Sequence, residues 1–259
     1  MVWALVLVCN LTHFSKAIDT IVQARTIGRW TDEIVVIVPK DVYDKAHIRD
    51  IGMKLGIEFL VLPEIQTETL MNFWGQHKED ANYAYVKERH FQYQKFYIMH
   101  TFFKRWTNIL YLDSGIKIHG PLSRLTTKCY EPNLFYAQSD SYPMYNWKLD
   151  NQFCLYLDEE MAKDLRSHFN LDTNYFQSTI MIYHTSIIQE DTVSKLFYLS
   201  SRYPFSLRND QGIFNLYLTC ERKCWRQIPL ADEEGFLYDY HNRFNIAKEK
   251  YLLLKAYHE

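Results

Sequence analysis

Length, composition and charge exclude several classes of protein. The chain has 259 residues, near the upper size for one hydrophobic core, so we expect a single domain over residues 1–259. Its formal net charge of −2 provides no basic field for nucleic-acid phosphates, so no nucleic-acid partner is expected. No apolar run approaches the roughly 20 residues that span a bilayer. Residues 2–9 also lack the basic start and the cleavage site of a signal peptide, so we expect a cytoplasmic protein without a transmembrane segment.

The five cysteines do not indicate a disulfide framework. Cys220 and Cys224 form the only close pair, and no second pair is present to complete a zinc site. We expect reduced thiols in a non-secretory compartment.

The first hundred residues alternate between apolar strands and amphipathic helices. Strands are predicted at 2–9, 33–39 and 57–63, and helices at 18–24 and 43–55. Strands separated by helices of this length form a mostly parallel sheet with right-handed crossovers. The predicted fold class is therefore α/β, with a mostly parallel central sheet flanked by helices.

A further helix is predicted over Glu88–Trp106, because apolar residues recur at spacings of three and four from Phe96 onward. It leads into residues 108–112, a continuous apolar run that is typical of a strand buried on both faces. This strand ends in Asp113. Ligands of open α/β sheets bind beyond the carboxyl ends of the strands, so we expect Asp113 at a ligand pocket.

The alternation becomes less regular after residue 120. Strands are predicted at 134–138 and 176–185, and a helix at 210–219. The loop 139–151 between them is rich in aromatic residues, and Tyr142, Tyr145 and Trp147 are candidates for stacking on a sugar. Most other aromatic residues are expected in the core.

The sequence lacks the glycine-rich loops that bind phosphate in many α/β proteins. The turn after the first strand, residues 9–14, has no glycine, so a dinucleotide-binding fingerprint is absent. Gly52 and Gly56 precede a strand and are not followed by the Gly-Lys-Ser/Thr of a P-loop. A bound nucleotide would need another source of positive charge. A divalent cation on Asp113 is the first candidate, because hard cations bind carboxylate and phosphate oxygens.

Three motifs, in order along the chain, resemble those of GT-A glycosyltransferases, with the glycogenin-like retaining family (family eight) the most similar. A strand ending in Leu-Asp-x-Asp after a Tyr-x-Lys-Leu entry is similar to residues 112–115 and 93–96. The Phe-Asn-Ser-Gly-Val-Met strand resembles residues 176–181, and the Asp-Gln-x-x-x-Asn helix start resembles residues 210–215. The resemblance implies a GT-A fold in which residues 1–120 bind the nucleotide and residues 121–259 bind the donor sugar and the acceptor.

Two departures from the family pattern concern the metal. Gly115 stands where the family has its second metal-binding Asp. The late His-x-x-Gly-x-x-Lys-Pro-Trp motif has only the imperfect counterpart His241-Asn-Arg-Phe-Asn-Ile-Ala-Lys248. With these departures, the metal site that the resemblance implies, for Mn²⁺ or Mg²⁺, is formed by Asp113 and His241. Lys248 or Arg243 would then bind the phosphates.

The implied activity is transfer of a sugar from a nucleotide-sugar, expected to be a UDP-sugar, to a hydroxyl of a glycan or glycoprotein, with retention at the anomeric carbon. The charge of the departing diphosphate must be stabilised by a metal ion or by cationic side chains. The implied catalytic residues are Asp210 and Gln177. The implied donor-binding residues are Asn10, Thr12, Lys95, Leu112, Asp113, Ser114, Asp140, Gln211 and Lys248.

Structural explanations remain open for several of these residues. Asp113 could cap a turn, Asp210 could be a helix N-cap, and Lys95 could lie on a solvated helix face. Residues 241–248 could equally be a surface segment with incidental charges. The alternative function is a GT-A relative that binds a nucleotide or glycan without turnover, which Gly115 favours. A sugar-phosphate nucleotidyltransferase is disfavoured, because its glycine-rich basic loop after the first strand is missing.

Overall fold

The computed structural model describes residues 2–63, 65, 67–128 and 130–255. Its strands are β1 (Trp3–Val8), β2 (Glu33–Val38), β3 (Ile57–Val61), β4 (Asn108–Leu112), β5 (Lys117–Ile118), β6 (Phe135–Ser139), β7 (Phe176–His184), β8 (Trp225–Gln227), β9 (Ala231–Asp232), β10 (Gly235–Tyr240) and β11 (Tyr251–Lys255). Its α-helices are α1 (Phe14–Thr26), α2 (Lys40–Tyr43), α3 (Ala46–Leu55), α4 (Glu68–Gln76), α5 (Tyr83–Glu88), α6 (Ser123–Thr126), α7 (Glu159–His168), α8 (Thr192–Arg202) and α9 (Asp210–Asn215). Short 3-10 helices lie at Leu11–His13, His90–Met99, Thr101–Arg105, Leu149–Gln152, Thr185–Ile187 and Lys248–Lys250, and a π-helix lies at Leu216–Glu221.

The central sheet has the strand order β3-β2-β1-β4-β7-β6-β8. The pairings β1 with β2, β2 with β3, β1 with β4, and β6 with β8 are parallel. Strand β7 runs antiparallel to its neighbours, β4 and β6. The predicted α/β class with a mostly parallel sheet is therefore confirmed.

Both faces of this sheet are buried, as the sequence pattern of β1 predicts. Ala4, Val6 and Val8 belong to the hydrophobic cluster on one face. Leu5 and Leu7 belong to the cluster on the other face. Because successive side chains of a strand point to opposite faces, a strand covered on both sides needs an unbroken apolar run.

The α-helix predicted over Glu88–Trp106 is wrong in type. The segment forms two 3-10 helices, separated at His100, whose backbone is extended (φ −73°, ψ 146°). Tyr93, Phe96 and Met99 are all buried at spacings of three residues, which matches the three residues per turn of a 3-10 helix. The prediction that this face is buried is correct, but the same spacing does not require an α-helix.

The sequence analysis did not predict the second sheet, which has the strand order β5-β11-β10-β9. Strand β11 pairs antiparallel with β5, with Leu254 opposite Lys117. Since β5 follows the Asp113–Gly115 turn, this pairing carries Lys255 back to that turn. The end of the described chain therefore lies beside the end of β4.

Two expectations from composition concern cysteines and membrane spans. Cys9, Cys154, Cys220 and Cys224 are free thiols. The fifth cysteine, Cys129, lies outside the described residues. Within the described ranges, none of the helices has both the length and the apolar character needed to cross a membrane.

Candidate active site

A cavity of about 400 Å³ lies beyond the carboxyl end of β4. It is lined mainly by polar and charged side chains from distant parts of the chain. The predicted site residues among them are Lys95, Asp113, Asp140, Gln177, Asp210, Gln211 and His241. The cavity thus brings together the three motifs identified in the sequence.

The antiparallel pairing of β7 with β4 explains why these motifs meet. Leu112 pairs with Ile180, and the Asp113 backbone N–H donates to the Thr179 carbonyl oxygen at 2.9 Å. The beginning of β7 therefore lies at the end of β4. The Ser178 backbone N–H donates to Gln211 Oε1 at 3.2 Å, which fixes the first turn of α9 against the same place.

Lys95 is the charged centre of the cavity. Its Nζ lies 3.0 Å from Asp113 Oδ1 and 3.4 Å from Asp210 Oδ2. The Tyr111 hydroxyl donates to Asp113 Oδ1 at 2.6 Å. Lys95 is 6% exposed, so the alternative of a solvated lysine on a helix face is wrong. A buried ammonium needs such partners, because burial of an unpaired charge is costly.

The two carboxylates on Lys95 have opposite pKa shifts. Burial raises the pKa of Asp210 to about 6, and the attraction of Lys95 only partly opposes this effect. Burial also raises the pKa of Asp113, but the attraction of Lys95 and Lys255, with the Tyr111 hydrogen bond, holds it below its usual value of 3.8. For Lys95, attraction to both carboxylates outweighs burial and raises the pKa above its usual 10.5. Asp113 is therefore the more firmly ionised carboxylate.

A second polar group in the cavity is centred on Asp140, which follows β6. Gln177 and Gln211 both donate through Nε2 to its carboxylate, Gln211 at 3.1 Å. The Tyr238 hydroxyl donates to Gln177 Oε1 at 3.2 Å. These bonds fix the orientation of both amides, so the cavity presents an ordered set of polar groups that suits sugar hydroxyls.

The alternative that Asp210 is a helix N-cap is also wrong. Asn209 occupies the N-cap position of α9, with φ of 48°, and Asp210 is the first helical residue. Asp210 is 1% exposed, and its Oδ2 faces the Lys95 ammonium at 3.4 Å.

Five of the predicted donor-binding residues do not line the cavity: Asn10, Thr12, Leu112, Ser114 and Lys248. Leu112 is fully buried in the core. The Asn10 side chain accepts from the His13 backbone N–H at 3.1 Å, and Ser114 Oγ donates to the Val8 carbonyl at 3.1 Å. Thr12 and Lys248 are exposed. The roles of these five residues in donor binding stay predictions.

Arg243, the second candidate for the phosphates, has a different position from the one expected. Its Nε lies 2.8 Å from Oδ1 of the buried Asp239, and its Nη1 donates to the Asp140 carbonyl at 2.9 Å. It therefore connects β10 to the Asp140 loop and does not line the cavity.

Several cavity residues were missed by the sequence analysis. Arg89 and Arg208 lie over the ring of Tyr85, with guanidinium carbons 3.9 and 4.8 Å from its centroid. No sequence signal marks these arginines, since they meet only in the fold. Lys255 did have a signal, because it ends the apolar run 251–254 as Asp113 ends its own strand.

The side chains do not fit a divalent cation. Nowhere in the described ranges do three or more His, Cys, Asp or Glu side chains converge in a way that could hold a metal. His241 and Asp113 both line the cavity. However, Asp113 Oδ1 already binds Lys95 and Tyr111, and Gly115 offers no ligand. The roles of Asp113 and His241 as metal ligands are therefore not supported by their surroundings.

No protein-family model matches the chain, and no curated protein sequence matches it significantly. Solved structures do match. WbbM, a bifunctional glycosyltransferase, superposes with a TM-score of 0.59 at 16% identity, over 100% of this chain and 46% of that one. This chain thus spans less than half the length of WbbM.

Two further structures match with similar scores. The galactosyltransferase LgtC, in complex with donor and acceptor sugar analogues, has a TM-score of 0.59 at 12% identity. The match covers 98% of this chain and 86% of the LgtC chain. Core-mannan synthase A from Aspergillus fumigatus, in a Mn/GDP form, has a TM-score of 0.55 at 11% identity, with 88% and 73% coverage. Identities this low establish the fold alone. The chain has the GT-A glycosyltransferase fold, as its motifs predicted.

Proposed function

We propose that this protein is a glycosyltransferase that moves a sugar from a nucleotide-sugar to a hydroxyl of a glycan or protein. The observation that carries the proposal is the cavity itself. Asp113, Asp210, Gln177 and Gln211 lie at the carboxyl end of β4, the place where a GT-A sheet binds its ligand.

The charges of the cavity suit a sugar diphosphate. Its cationic side chains are Arg89, Lys95, Arg208 and Lys255, and its carboxylates are Asp113, Asp140 and Asp210. Cations attract the diphosphate, carboxylates accept hydrogen bonds from sugar hydroxyls, and amides both donate to and accept from them. Of the carboxylates, Asp140 accepts hydrogen bonds from Gln177 and Gln211, which supports a role for all three in binding the sugar.

Sugar transfer exchanges one bond at the anomeric carbon for another. The bond from that carbon to the β-phosphate oxygen breaks, and its electron pair remains on the phosphate. The acceptor oxygen forms the new bond, and its proton passes to the departing diphosphate. The protein must hold the acceptor oxygen close to the anomeric carbon and to the departing diphosphate, and it must stabilise the charge of the leaving group.

We further propose UDP as the nucleotide of the donor, with retention at the anomeric carbon. Both follow from the family resemblance of the motifs around Asp113, Gln177 and Asp210. NMR of the product's anomeric proton tests the stereochemistry.

A panel of UDP- and GDP-sugars, with release of nucleoside diphosphate as the readout, tests the activity. Asp113→Ala should lower turnover about 10²- to 10³-fold, because Lys95 loses its main partner and the cavity loses its most firmly ionised carboxylate. Asp41→Ala, on the exposed surface of α2, is the matched control and should turn over like the wild type.

Unchanged turnover in Asp113→Ala would contradict the proposal. Binding of UDP without turnover on any donor in the panel would instead favour the alternative, a GT-A relative that only binds its ligand.

A further inference from the structure

We propose that Lys255 takes the place of the divalent cation in this protein, so that its ammonium stabilises the departing diphosphate and transfer needs no metal. The inference rests on the proposed function and concerns the same cavity. It assigns the role of the leaving-group cation to a side chain that the motifs did not indicate.

The first observation is what lies around Gly115, where the family has its second metal-binding Asp. A Cβ atom built on Gly115 would lie 3.6 Å from Lys255 Nζ and 3.6 Å from Lys16 Cδ. Gly115 also has a φ of +84°, a conformation that favours glycine over aspartate. Two lysine side chains therefore flank the position from which a carboxylate would hold the metal.

The second observation is how Lys255 is held. Its ammonium donates to the carbonyl oxygen of Ser114, within the turn that follows β4. Pairing of β11 with β5 fixes the backbone that carries it. An ammonium has three N–H donors, and Ser114 uses one, so a phosphate oxygen in the cavity can accept another. Lys255 is thus positioned by the fold before any ligand binds.

The third observation concerns the contacts of Asp113, the metal-binding position of the motif at which this chain still has an aspartate. Lys95 Nζ lies 3.0 Å from its Oδ1, and the Tyr111 hydroxyl donates to the same oxygen at 2.6 Å. Lys95 and Lys255 both attract this carboxylate. A dication near Asp113 would be repelled by two ammonium groups in a partly buried site.

In this arrangement the bond between the anomeric carbon and the phosphate oxygen breaks while the departing phosphate lies next to the Lys255 ammonium. The electron pair stays on the β-phosphate, where the Lys255 ammonium stabilises the new charge. The acceptor oxygen bonds to the anomeric carbon, and its proton goes to the diphosphate. Lys255 keeps its own protons throughout, so it acts by charge and hydrogen bonding alone.

Calorimetry of UDP and GDP binding to the 259-residue chain, first in EDTA and then in Mn²⁺, tests the inference. We expect affinities in the two buffers within about twofold of each other. Lys255→Met keeps the apolar stem and should bind the nucleotide about 10- to 100-fold more weakly in both buffers. Lys255→Arg should retain most of the affinity, and Lys250→Ala, an exposed lysine just before β11, should bind like the wild type.

The outcomes separate the inference from the proposed function. Binding that appears only with Mn²⁺, or wild-type affinity in Lys255→Met, overturns the role of Lys255 and leaves the glycosyltransferase proposal standing. Absence of nucleotide binding in either buffer overturns both. Thermal unfolding of each variant shows whether a loss of affinity comes from the site or from loss of the fold.

Discussion

Asp210 should destabilise the folded protein at neutral pH, and its replacement by asparagine should reveal this. Asp210 is 1% exposed, and burial raises its pKa from 3.8 to about 6. A carboxyl whose pKa is higher in the folded state stabilises the fold at low pH, and that contribution is lost as the pH rises through about 6. The rise of about 2 in pKa corresponds to about 3 kcal/mol at pH 7.5.

Asp210→Asn removes the ionisation and so should raise the free energy of unfolding. We expect a gain of up to about 3 kcal/mol at pH 7.5, falling below about 1 kcal/mol at pH 4, where the native carboxyl is largely protonated. The gain is an upper bound, because the variant also removes one partner of Lys95. Turnover should fall, because groups that destabilise the fold are often retained in active sites for their function.

Urea unfolding at pH 4 and pH 7.5 measures the effect, provided that the slope with urea is unchanged. Asp113→Asn is the matched control, because it removes the other carboxylate on Lys95. The pKa of Asp113 is below 3.8, so it stabilises the fold above its usual pKa, and this contribution is lost as the pH falls. Asp113→Asn should therefore lower the free energy of unfolding by about 1 to 3 kcal/mol at pH 7.5. A less stable Asp210→Asn at pH 7.5, or two variants shifted in the same direction, would refute the reasoning.

Two further predictions concern Lys95 and Trp147. Lys95→Met should cost about 3 to 5 kcal/mol in urea unfolding at pH 7.5, because Asp113 and Asp210 lose the ammonium between them; wild-type stability would contradict this. Trp147 lines the cavity and stacks on Tyr145, with ring centroids 4.0 Å apart. Trp147→Ala should therefore raise KM for the acceptor about tenfold and leave the rate of donor hydrolysis unchanged. Tyr198→Ala, an exposed aromatic residue on α8, is its control, and an equal rise in KM there would show that the effect is not local.

Local sequence patterns predicted much of the fold. The unbroken apolar runs of β1 and β4 indicated strands buried on both faces, and the regular alternation with helices indicated a mostly parallel sheet. The type of the helix after Glu88 was not predictable, because apolar residues three apart satisfy a 3-10 helix as well as one face of an α-helix.

The candidate site was also predictable in part, because some of its residues lie at the ends of elements that local patterns predict. Asp113 and Gln177 lie at strand ends, and Asp210 begins a helix, so each had a local signal that placed it at an edge of the sheet. Arg89 and Arg208 had none. Both lie over the ring of Tyr85, and cation–π contacts between residues far apart in sequence leave no periodic pattern.

The sequence by itself determined the α/β class, the buried strands and the convergence of polar residues beyond β4, because hydrophobic periodicity is a local property of the chain. Only the tertiary structure decided which charges meet there. The antiparallel return of β7 places Ser178 and Gln177 beside Asp113, and the pairing of β11 with β5 brings Lys255 to the Ser114 carbonyl. Contacts between residues so far apart depend on strand order and register, and these set whether the position next to Asp113 receives a metal or an ammonium group.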